Sequence, residues 1–401
     1  MKKTIILTLF VLIGHTCFSQ TLSKADFIED LEFLKKTLPV KHTNLFAKIT
    51  QPNFETKVDT IINKAGSLNY ETFTAELFKL MVSIGDEHTF VEAKFTKILP
   101  IQFELFKEGL FVTGIDEANS NLLQAKLIAI NNQSTANVTS LFKEVIQSEN
   151  QSYFDDHLLH YINNPSFLKG LGIIDSDEEA EFTLIDKNDK QVKIKLAAVQ
   201  SNNIANVKLV FSHSNLLSKK GKGNYWFDYD TDKKVLYLNY NKCQEEQDLP
   251  FSKFNDDLFA FITQYAPKKI ILDLRYNSGG NSGVLSPFIE KIKDSYLNQK
   301  NKFFVLIGKK TFSSAVMNAV NLKRNTNAFL IGEPTSGNIN HYGEVRGFSL
   351  PKSKIVMAYS TRYWETWKGK KGPLKPDIAV NYSIKNYIEG KDEALMQVYK
   401  K

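Results

Sequence analysis

The chain has 401 residues, of which 42% are hydrophobic and 24% are charged, and its formal net charge is +7. This composition is ordinary for a globular protein and excludes wholesale disorder. Acidic and basic residues are interspersed without a long Lys/Arg block, which argues against a dedicated nucleic-acid binder.

The N-terminal segment at 1–19 has the pattern of a secretory signal. A cationic start precedes a short apolar run, and Cys17 and Ser19 place small side chains at the −3 and −1 positions of a predicted cut after Ser19. No stretch of the chain approaches the ~20 apolar residues that span a bilayer, so no membrane span is predicted. The sequence therefore predicts an exported protein, periplasmic or extracellular. In the alternative interpretation Cys17 carries a lipid anchor, although residues 14–16 match the required small-residue box poorly.

The remaining cysteine and histidine content argues against a metal site. Only Cys243 is left after the predicted cut, so neither an intramolecular disulfide nor a CxxC zinc site is expected. His157 and His160 lie at i, i+3 spacing, but no third ligand follows at metal-site spacing. Neither a metal nor a cofactor is predicted.

Residues 20–95 are predicted to form a helical N-terminal domain. Ser23 and Asp26 resemble a capping box. Apolar residues then recur at helical spacing as far as Pro39, which is predicted to end the first helix. A second helical stretch leads to the polar turn Gly85-Asp86-Glu87-His88-Thr89.

The rest of the chain changes character twice. Residues 96–211 mix short strands with helical stretches and predict a small β-rich module, followed by a flexible linker near 212–224. At 225–390 apolar strands alternate with helices, which favours an α/β layer of largely parallel strands. Ligands of such layers bind at the carboxyl ends of the strands, so the loops there are the candidate sites.

Three such loops carry candidate catalytic residues. The first contains paired glycines at 279–280, whose exposed backbone N–H groups suit an oxyanion hole. The second begins a helix with two serines at 313–314. A serine there is most often an N-cap, but the free N–H groups and the helix dipole also suit a nucleophile. The third is the turn-rich segment 332–341, which ends in a histidine.

In order and spacing these loops resemble the tail-specific, or C-terminal-processing, serine peptidase family. The resemblance covers the whole mature chain and is strongest in Asp-Leu-Arg-Tyr-Asn-Ser-Gly-Gly at 273–280 and Gly-Glu-Pro-Thr-Ser-Gly at 332–337. It implies a crotonase-like α/β catalytic domain at 225–390, with the helical N-terminal domain and a PDZ-like module before it. The implied function is hydrolysis of a peptide or protein substrate through an acyl-enzyme, without a cofactor.

The resemblance also implies the residues of the site. It places the nucleophile on Ser313, with Ser314 as the alternative. The oxyanion donors are expected among Gly279, Gly280 and the backbone N–H of Ser314. Where the best-known members have a general-base lysine, this chain has Asn338, which cannot accept a proton from a hydroxyl.

The base is therefore expected to be a histidine, as in the tricorn-like branch. His88 is the expected base, because an imidazole titrates near neutral pH, and His341 is the alternative base. Tricorn-like members carry a glutamate before a Gly-x-x-Pro-Asp segment, and Glu365 is the nearest acid upstream of that segment here. The absence of the lysine leaves a second function open, a catalytically inactive peptide- or ligand-binding protein on the same fold.

Overall fold

The computed structural model describes residues 22–148, 150–212 and 216–401. The predicted signal segment, with its cut after Ser19 and the alternative anchor at Cys17, lies outside the described residues. Part of the predicted linker also lies outside them. Within the described ranges, no helix is long and apolar enough to cross a membrane.

The N-terminal part of the chain is helical. Its α-helices are α1 (Lys24–Lys41), α2 (Gln51–Lys64) and α3 (Tyr70–Ile84). The predicted capping box of α1 is confirmed: Ser23 Oγ accepts the Asp26 N–H, and the Asp26 carboxylate accepts the Ser23 N–H at 2.8 Å. The prediction that Pro39 ends this helix is wrong, because α1 continues to Lys41. The proline ring removes one hydrogen bond near the end of the helix, but the His42 N–H still bonds to the Leu38 carbonyl and completes the last turn.

The chain reverses direction where α3 ends. Gly85 terminates the helix with a φ of +76°, a left-handed conformation that glycine adopts without steric cost. The reversal directs residues 86–89 into the protein, where all four side chains are buried. A polar turn is thereby held in the interior.

The middle part contains short strands and helices. They are β1 (Val91–Glu92), β2 (Lys97–Ile98), β3 (Ile101–Phe106), β4 (Gly109–Asp116), β5 (Lys126–Ile130), β6 (Gln133–Ser134), α4 (Thr135–Phe142), α5 (Gln151–Tyr161), α6 (Pro165–Gly170), β7 (Glu179–Ile185), β8 (Gln191–Ala197), β9 (Val199–Gln200) and β10 (Leu209–Phe211). Over the described residues, an antiparallel sheet has the order β10-β4-β5-β7-β8, with β3 beside β4 and β6 beside β5. Its buried side chains share one hydrophobic core with α1, α2 and α3. The helical and β-rich parts therefore pack as a unit.

The C-terminal part is an α/β layer. Its elements are β11 (Tyr225–Asp230), β12 (Val235–Tyr240), α7 (Phe251–Tyr265), β13 (Lys269–Asp273), α8 (Ser286–Lys293), β14 (Phe303–Ile307), α9 (Ser314–Asn325), β15 (Phe329–Gly332), β16 (Asn340–Ser349), β17 (Val356–Glu365), β18 (Ile378–Ala379), α10 (Ile384–Ile388) and α11 (Glu393–Lys400). The sheet order is β11-β12-β13-β14-β15-β18, with parallel pairs from β12 onward and antiparallel β11 at one edge. Helices α7, α8 and α9 cover one face and α11 covers the other. The predicted layer of largely parallel strands is confirmed.

A long hairpin connects this layer to the N-terminal helices. Strands β16 and β17 pair antiparallel, and β1 adds to the outer side of β17. At the tip of the hairpin, the buried Asp30 of α1 accepts the backbone N–H groups of Lys352 and Ser353 at 2.7 and 2.8 Å. The base of the hairpin, which carries His341, is thereby held between the N-terminal helices and the α/β layer.

Candidate active site

The first candidate loop follows β13 and is fixed by Asn277. The Asn277 side chain donates to the Tyr240 carbonyl at 2.8 Å and accepts the Gly279 N–H at 2.9 Å. Gly279 has a φ of +106°, and a Cβ at this position would lie 2.8 Å from the Cβ of Ser313. Both the conformation and the close approach require glycine. The loop is therefore held directly against the predicted nucleophile.

The second loop precedes α9 and is tied to the first. The Thr311 hydroxyl donates to the Leu274 carbonyl at 2.8 Å, and the Phe312 N–H donates to the Asn277 carbonyl at 3.0 Å. Ser313 occupies the N-cap position of α9, but its hydroxyl makes no capping hydrogen bond. Its φ of +50° and ψ of −124° are unusual for a residue with a side chain, and such strain clusters at functional sites. The serine is thus held in a costly conformation without serving as a cap.

The neighbouring serine is engaged differently. The Ser314 hydroxyl donates to the Gly280 carbonyl at 2.6 Å, which links the helix start to the glycine loop. The backbone N–H groups of Gly280 and Ser314 make no hydrogen bond with any described residue. The Gly279 N–H, in contrast, is used by Asn277. Two of the predicted oxyanion donors therefore have N–H groups available for a ligand, at the positive end of a helix dipole.

Five of the predicted residues, from separate regions of the chain, line one cleft with a volume of about 370 Å³. It is lined by His88 from the turn after α3, by Gly280, by Ser313 and Ser314, and by His341 from β16. The other lining residues are Asn281, Ser282, Met317, Gly343, Glu344, Val345 and Trp364. A hydroxyl, two imidazoles and free backbone N–H groups are thus brought together.

His88 is buried between two rings. Its imidazole stacks on Phe312 with 4.5 Å between ring centroids and on His341 with 5.1 Å. Neither of its ring nitrogens has a hydrogen-bond partner among the described residues, and no described hydrogen bond joins Ser313 to an imidazole. Burial, reinforced by His341 and opposed by Asp86, lowers the pKa of His88 to about 3. The imidazole is therefore neutral and unpaired in the interior.

His341 is held in one tautomer. Its Nδ1 lies 2.8 Å from the Asn338 carbonyl oxygen, and because a carbonyl only accepts, Nδ1 carries the hydrogen. The Nε2 atom then carries the lone pair. Burial lowers the pKa of His341, although the Asn338 carbonyl and the Asp86 charge oppose the shift. The backbone carbonyl of Asn338, where the resemblance drawn from the sequence would place a lysine, thus orients a histidine.

Asp86 is a residue that the sequence reasoning missed. Its Oδ2 accepts hydrogen bonds from His42 Nε2 at 3.0 Å, Ser360 Oγ at 2.6 Å and Thr89 Oγ1 at 2.5 Å. Its Oδ1 accepts the His88 N–H at 3.0 Å. Burial alone would raise the pKa of Asp86, but these hydrogen bonds outweigh it and lower the pKa to about 2. The only sequence signal was its place two residues before His88.

The Asp86 cluster keeps a net negative charge. His42 Nδ1 accepts the Asn44 N–H at 2.9 Å, so the hydrogen of a neutral His42 lies on Nε2, facing Asp86. Asp86 is then the charged member of this cluster. Its charge opposes the lowering of the pKa that burial causes at both His88 and His341. A buried carboxylate therefore stabilises positive charge on either imidazole.

Glu365, the carboxylate expected from the resemblance, lies elsewhere. It is the last residue of β17, where it pairs with Asn340 and is exposed to solvent. His341 pairs with Trp364, and successive side chains of a strand point to opposite faces. Among the described residues, Glu365 makes no hydrogen bond or ion pair with either imidazole.

The pair His157 and His160 lies away from this cleft. His157 Nδ1 bonds to the Tyr153 carbonyl at 3.0 Å, and its ring stacks on the Tyr153 ring at 3.8 Å. In the part of the chain that the structure describes, no group of three or more His, Cys, Asp or Glu side chains is placed to hold a metal ion.

Comparison with known proteins gives a likeness of fold. No protein-family model matches the chain, and no curated protein matches it. A serine-to-alanine mutant of CPAF is similar, with a TM-score of 0.69 and 13% identity over 94% of this chain and 97% of that chain. The complex of CPAF with lactacystin has a TM-score of 0.65 and 12% identity over the same shares. The chain has the fold of CPAF.

Other structural neighbours have lower TM-scores. Beside CPAF they include the photosystem II D1 C-terminal processing protease, with a TM-score of 0.42 and 11% identity over 92% of this chain and 98% of that chain. The mixed α/β architecture of this chain is similar to that of CPAF. At these identities the likeness to CPAF concerns the fold, and the crotonase-like and PDZ-like assignments stay predictions.

Proposed function

We propose that the chain is an exported serine peptidase that cleaves peptides or unstructured C-terminal segments through an acyl-enzyme. The observation that carries the proposal is Ser313, which has a strained backbone conformation and makes no capping hydrogen bond. Its cleft also contains two buried imidazoles and two free backbone N–H groups. The fold shared with CPAF supports a peptidase.

In the proposed mechanism, Ser313 Oγ attacks the scissile carbonyl and gives its proton to His88. The N–H groups of Gly280 and Ser314 hold the tetrahedral oxyanion, an effect worth ~3 kcal/mol per donor. The imidazolium then protonates the leaving amine, and water hydrolyses the acyl-enzyme. A buried imidazole without a hydrogen bond is rare and calls for a partner, and the Ser313 hydroxyl in the same cleft is suited to be that partner.

The supporting carboxylate in this proposal is Asp86. It accepts the backbone N–H of His88, and its charge stabilises the imidazolium that forms during attack. Asp86 acts on His88 through the backbone hydrogen bond of the turn and through its charge, and it does not touch the substrate in this mechanism. It is therefore a positioning residue. The exposed position of Glu365 gives no support for the role expected of it. His341 remains the alternative base, since its Nε2 lone pair is free to accept a proton.

A fluorophosphonate probe tests the nucleophile. We expect labelling of the wild type, none in Ser313→Ala, and retained labelling in Ser314→Ala, whose hydroxyl is already engaged with Gly280. Labelling that survives Ser313→Ala and disappears in Ser314→Ala would show that the nucleophile is Ser314.

The same probe separates the two candidate bases. His88→Ala should abolish labelling, whereas His341→Ala should only weaken it. The opposite pattern would transfer the role of the base to His341.

N-terminal analysis of the protein from an exporting host tests the export prediction. A mature chain that begins at Gln20 supports a cut after Ser19. A diacylglycerol on Cys17 would support the alternative anchor, and retention of residues 1–19 in the cytoplasm would contradict export.

One observation favours the second function, an inactive binder on the same fold. The Ser313 hydroxyl is not hydrogen-bonded to an imidazole in the described structure, and a His88 with a pKa of about 3 is a weak base at neutral pH. A wild-type protein that binds peptides but never reacts with the fluorophosphonate would support this function over the peptidase.

A further inference from the structure

A second and larger cavity lies on the other side of the His88 turn. Its volume is about 590 Å³, within the range of small-molecule sites, and none of its lining residues lines the catalytic cleft. Glu87 and Thr89 line this cavity, whereas His88 between them lines the cleft. Likewise Phe312 lines the cavity and Ser313 lines the cleft. The stacked rings of His88 and Phe312 therefore form a thin partition between two separate spaces.

Aromatic side chains dominate the apolar walls of this cavity. They come from α3, β3, α5 and the connecting segments, and they are Phe78, Phe90, Phe103, Tyr153, Tyr161 and Phe312. The faces of aromatic rings attract cations and also accept flat apolar groups. The walls therefore suit an organic molecule with a positive charge.

The charged groups of the cavity are predominantly acidic. Glu87, Glu104 and Asp156 line it, against one ammonium group from Lys310. Glu104 and Asp156 make no hydrogen bond or ion pair with any described residue. The Lys310 ammonium lies 6.0 Å from the ring of Tyr276, which does not line this cavity. Neither carboxylate is therefore ion-paired among the described residues, although the Lys310 charge acts on Asp156 and the Glu104 charge acts on Lys219.

The histidines of the cavity do not supply the missing positive charge. Burial lowers the pKa of His157 to about 4 and also lowers the pKa of His160, so both are neutral at pH 7. Burial, opposed by Lys310 and reinforced by Glu104, raises the pKa of Asp156 to about 6. The carboxylates repel each other in a poorly solvated space, and a bound cation would relieve that repulsion.

We propose that this cavity binds an organic cation, a primary amine or guanidinium on an aromatic or apolar body, with its charge at Glu104 and Asp156. A neutral apolar molecule would leave both carboxylates desolvated without compensation, and an anion would add a further negative charge. The aromatic walls hold the body of the ligand. This site is distinct from the catalytic cleft, and its occupation does not depend on peptidase activity.

The test is a binding titration of the full chain with three probes of one shape. Benzylamine, benzyl alcohol and benzoate differ chiefly in charge, and their binding can be followed by ligand-observed NMR at pH 7.5. We expect saturable binding of benzylamine, at least tenfold weaker binding of benzyl alcohol, and no binding of benzoate. Equal binding of the amine and the alcohol, preferential binding of benzoate, or no saturation by benzylamine at millimolar concentrations would each overturn the proposal.

Variants locate the site within the chain. Asp156→Asn and Glu104→Gln should each weaken the binding of benzylamine at least tenfold. The matched control is Asp155→Asn, because Asp155 is the adjacent acid of α5 but pairs with Lys309 and does not line the cavity. It should change the affinity less than twofold. An equal loss in all three variants would mean that the effect is general and would overturn the assignment.

The pH dependence gives an independent readout. Asp156 must be ionised to attract the cation, so affinity should fall as the pH decreases through about 6. The other carboxyl, imidazole and ammonium groups that line the cavity are those of Glu87, Glu104, His157, His160 and Lys310. An affinity for benzylamine that is constant between pH 7.5 and pH 5 would contradict the role of Asp156.

Discussion

Replacement of Asp86 by asparagine removes one buried negative charge and preserves the size of the side chain. On Oδ2 of the wild-type residue, His42, Ser360 and Thr89 all donate, and on Oδ1 the His88 N–H donates. An amide nitrogen cannot accept a hydrogen bond. Either orientation of the asparagine therefore leaves at least one buried donor facing another donor.

The magnitude follows from the pKa of Asp86. It lies at about 2, against an ordinary value of 3.8, and at about 1.4 kcal/mol for each tenfold change in acidity this difference corresponds to about 2 kcal/mol. An unpaired buried donor costs a further ~1–3 kcal/mol. We therefore expect Asp86→Asn to lower the free energy of unfolding by about 3–5 kcal/mol at pH 7. Because the folded-state pKa is depressed, this stabilisation is complete above pH ~4 and is lost as the pH falls through about 2.

Two measurements separate stability from the role at the site. Urea unfolding at pH 7 gives the free energy, and the rate of fluorophosphonate labelling against pH reports on the base. Without the Asp86 charge the pKa of His88 falls further, so labelling should become slower and its pH midpoint should move down. Asp30→Asn is the matched control, because Asp30 is also buried and accepts two backbone N–H groups, from Lys352 and Ser353.

The control should lose stability but keep the labelling profile of the wild type. If Asp86→Asn unfolds at the same urea concentration as the wild type, the energetic reasoning is refuted. If Asp30→Asn and Asp86→Asn change the labelling profile equally, Asp86 acts only through global stability and the proposed support of His88 is wrong.

Other substitutions test neighbouring features of the site. Gly279→Ala places a Cβ 2.8 Å from the Ser313 Cβ at a φ of +106°, so it should abolish labelling and cost roughly 1–3 kcal/mol in urea unfolding; wild-type labelling would contradict the close approach. His341→Gln removes an imidazole whose positive charge, when it is protonated, lowers the pKa of the stacked His88, so the pKa of His88 should rise in an NMR titration; an unchanged value would show that the two rings are not coupled. Arg275→Met leaves the buried Asp273 and Asp392 without their ion-pair partner and should lower the free energy of unfolding by about 3–5 kcal/mol; a loss below 1 kcal/mol would contradict this.

The sequence predicted the α/β layer well for a physical reason. Strands covered on both faces must be continuously apolar, as in β13 and β14, and such runs are visible without a structure. Their carboxyl ends meet at one edge of the sheet, so the glycine loop and the Ser313 loop were expected to converge. The local capping box at Ser23 was equally readable, because its hydrogen bonds lie within one turn.

Features fixed by distant contacts could not be predicted in this way. Ser360 lies 274 positions after Asp86 in the chain, and no local pattern pairs them. The expectation for Glu365 rests on its nearness in sequence to the Gly-Pro-Leu-Lys-Pro-Asp segment at 372–377. The pairing of β16 with β17 decides which side chains of the hairpin face the cleft, and it places Trp364 there. Register is set by the turn and the packing of the whole hairpin.

These contacts make the N-terminal helices part of the site. His42 follows α1 and Asp86 follows α3, so both ends of their hydrogen bond depend on how these helices pack. The same short turn then presents His88 to the catalytic cleft and Glu87 to the second cavity. Since a backbone turn cannot move one of these residues without its neighbour, any rearrangement around Glu87 must also displace the imidazole. The helical part therefore sets the position of the proposed base, and the α/β layer supplies the hydroxyl and the oxyanion donors.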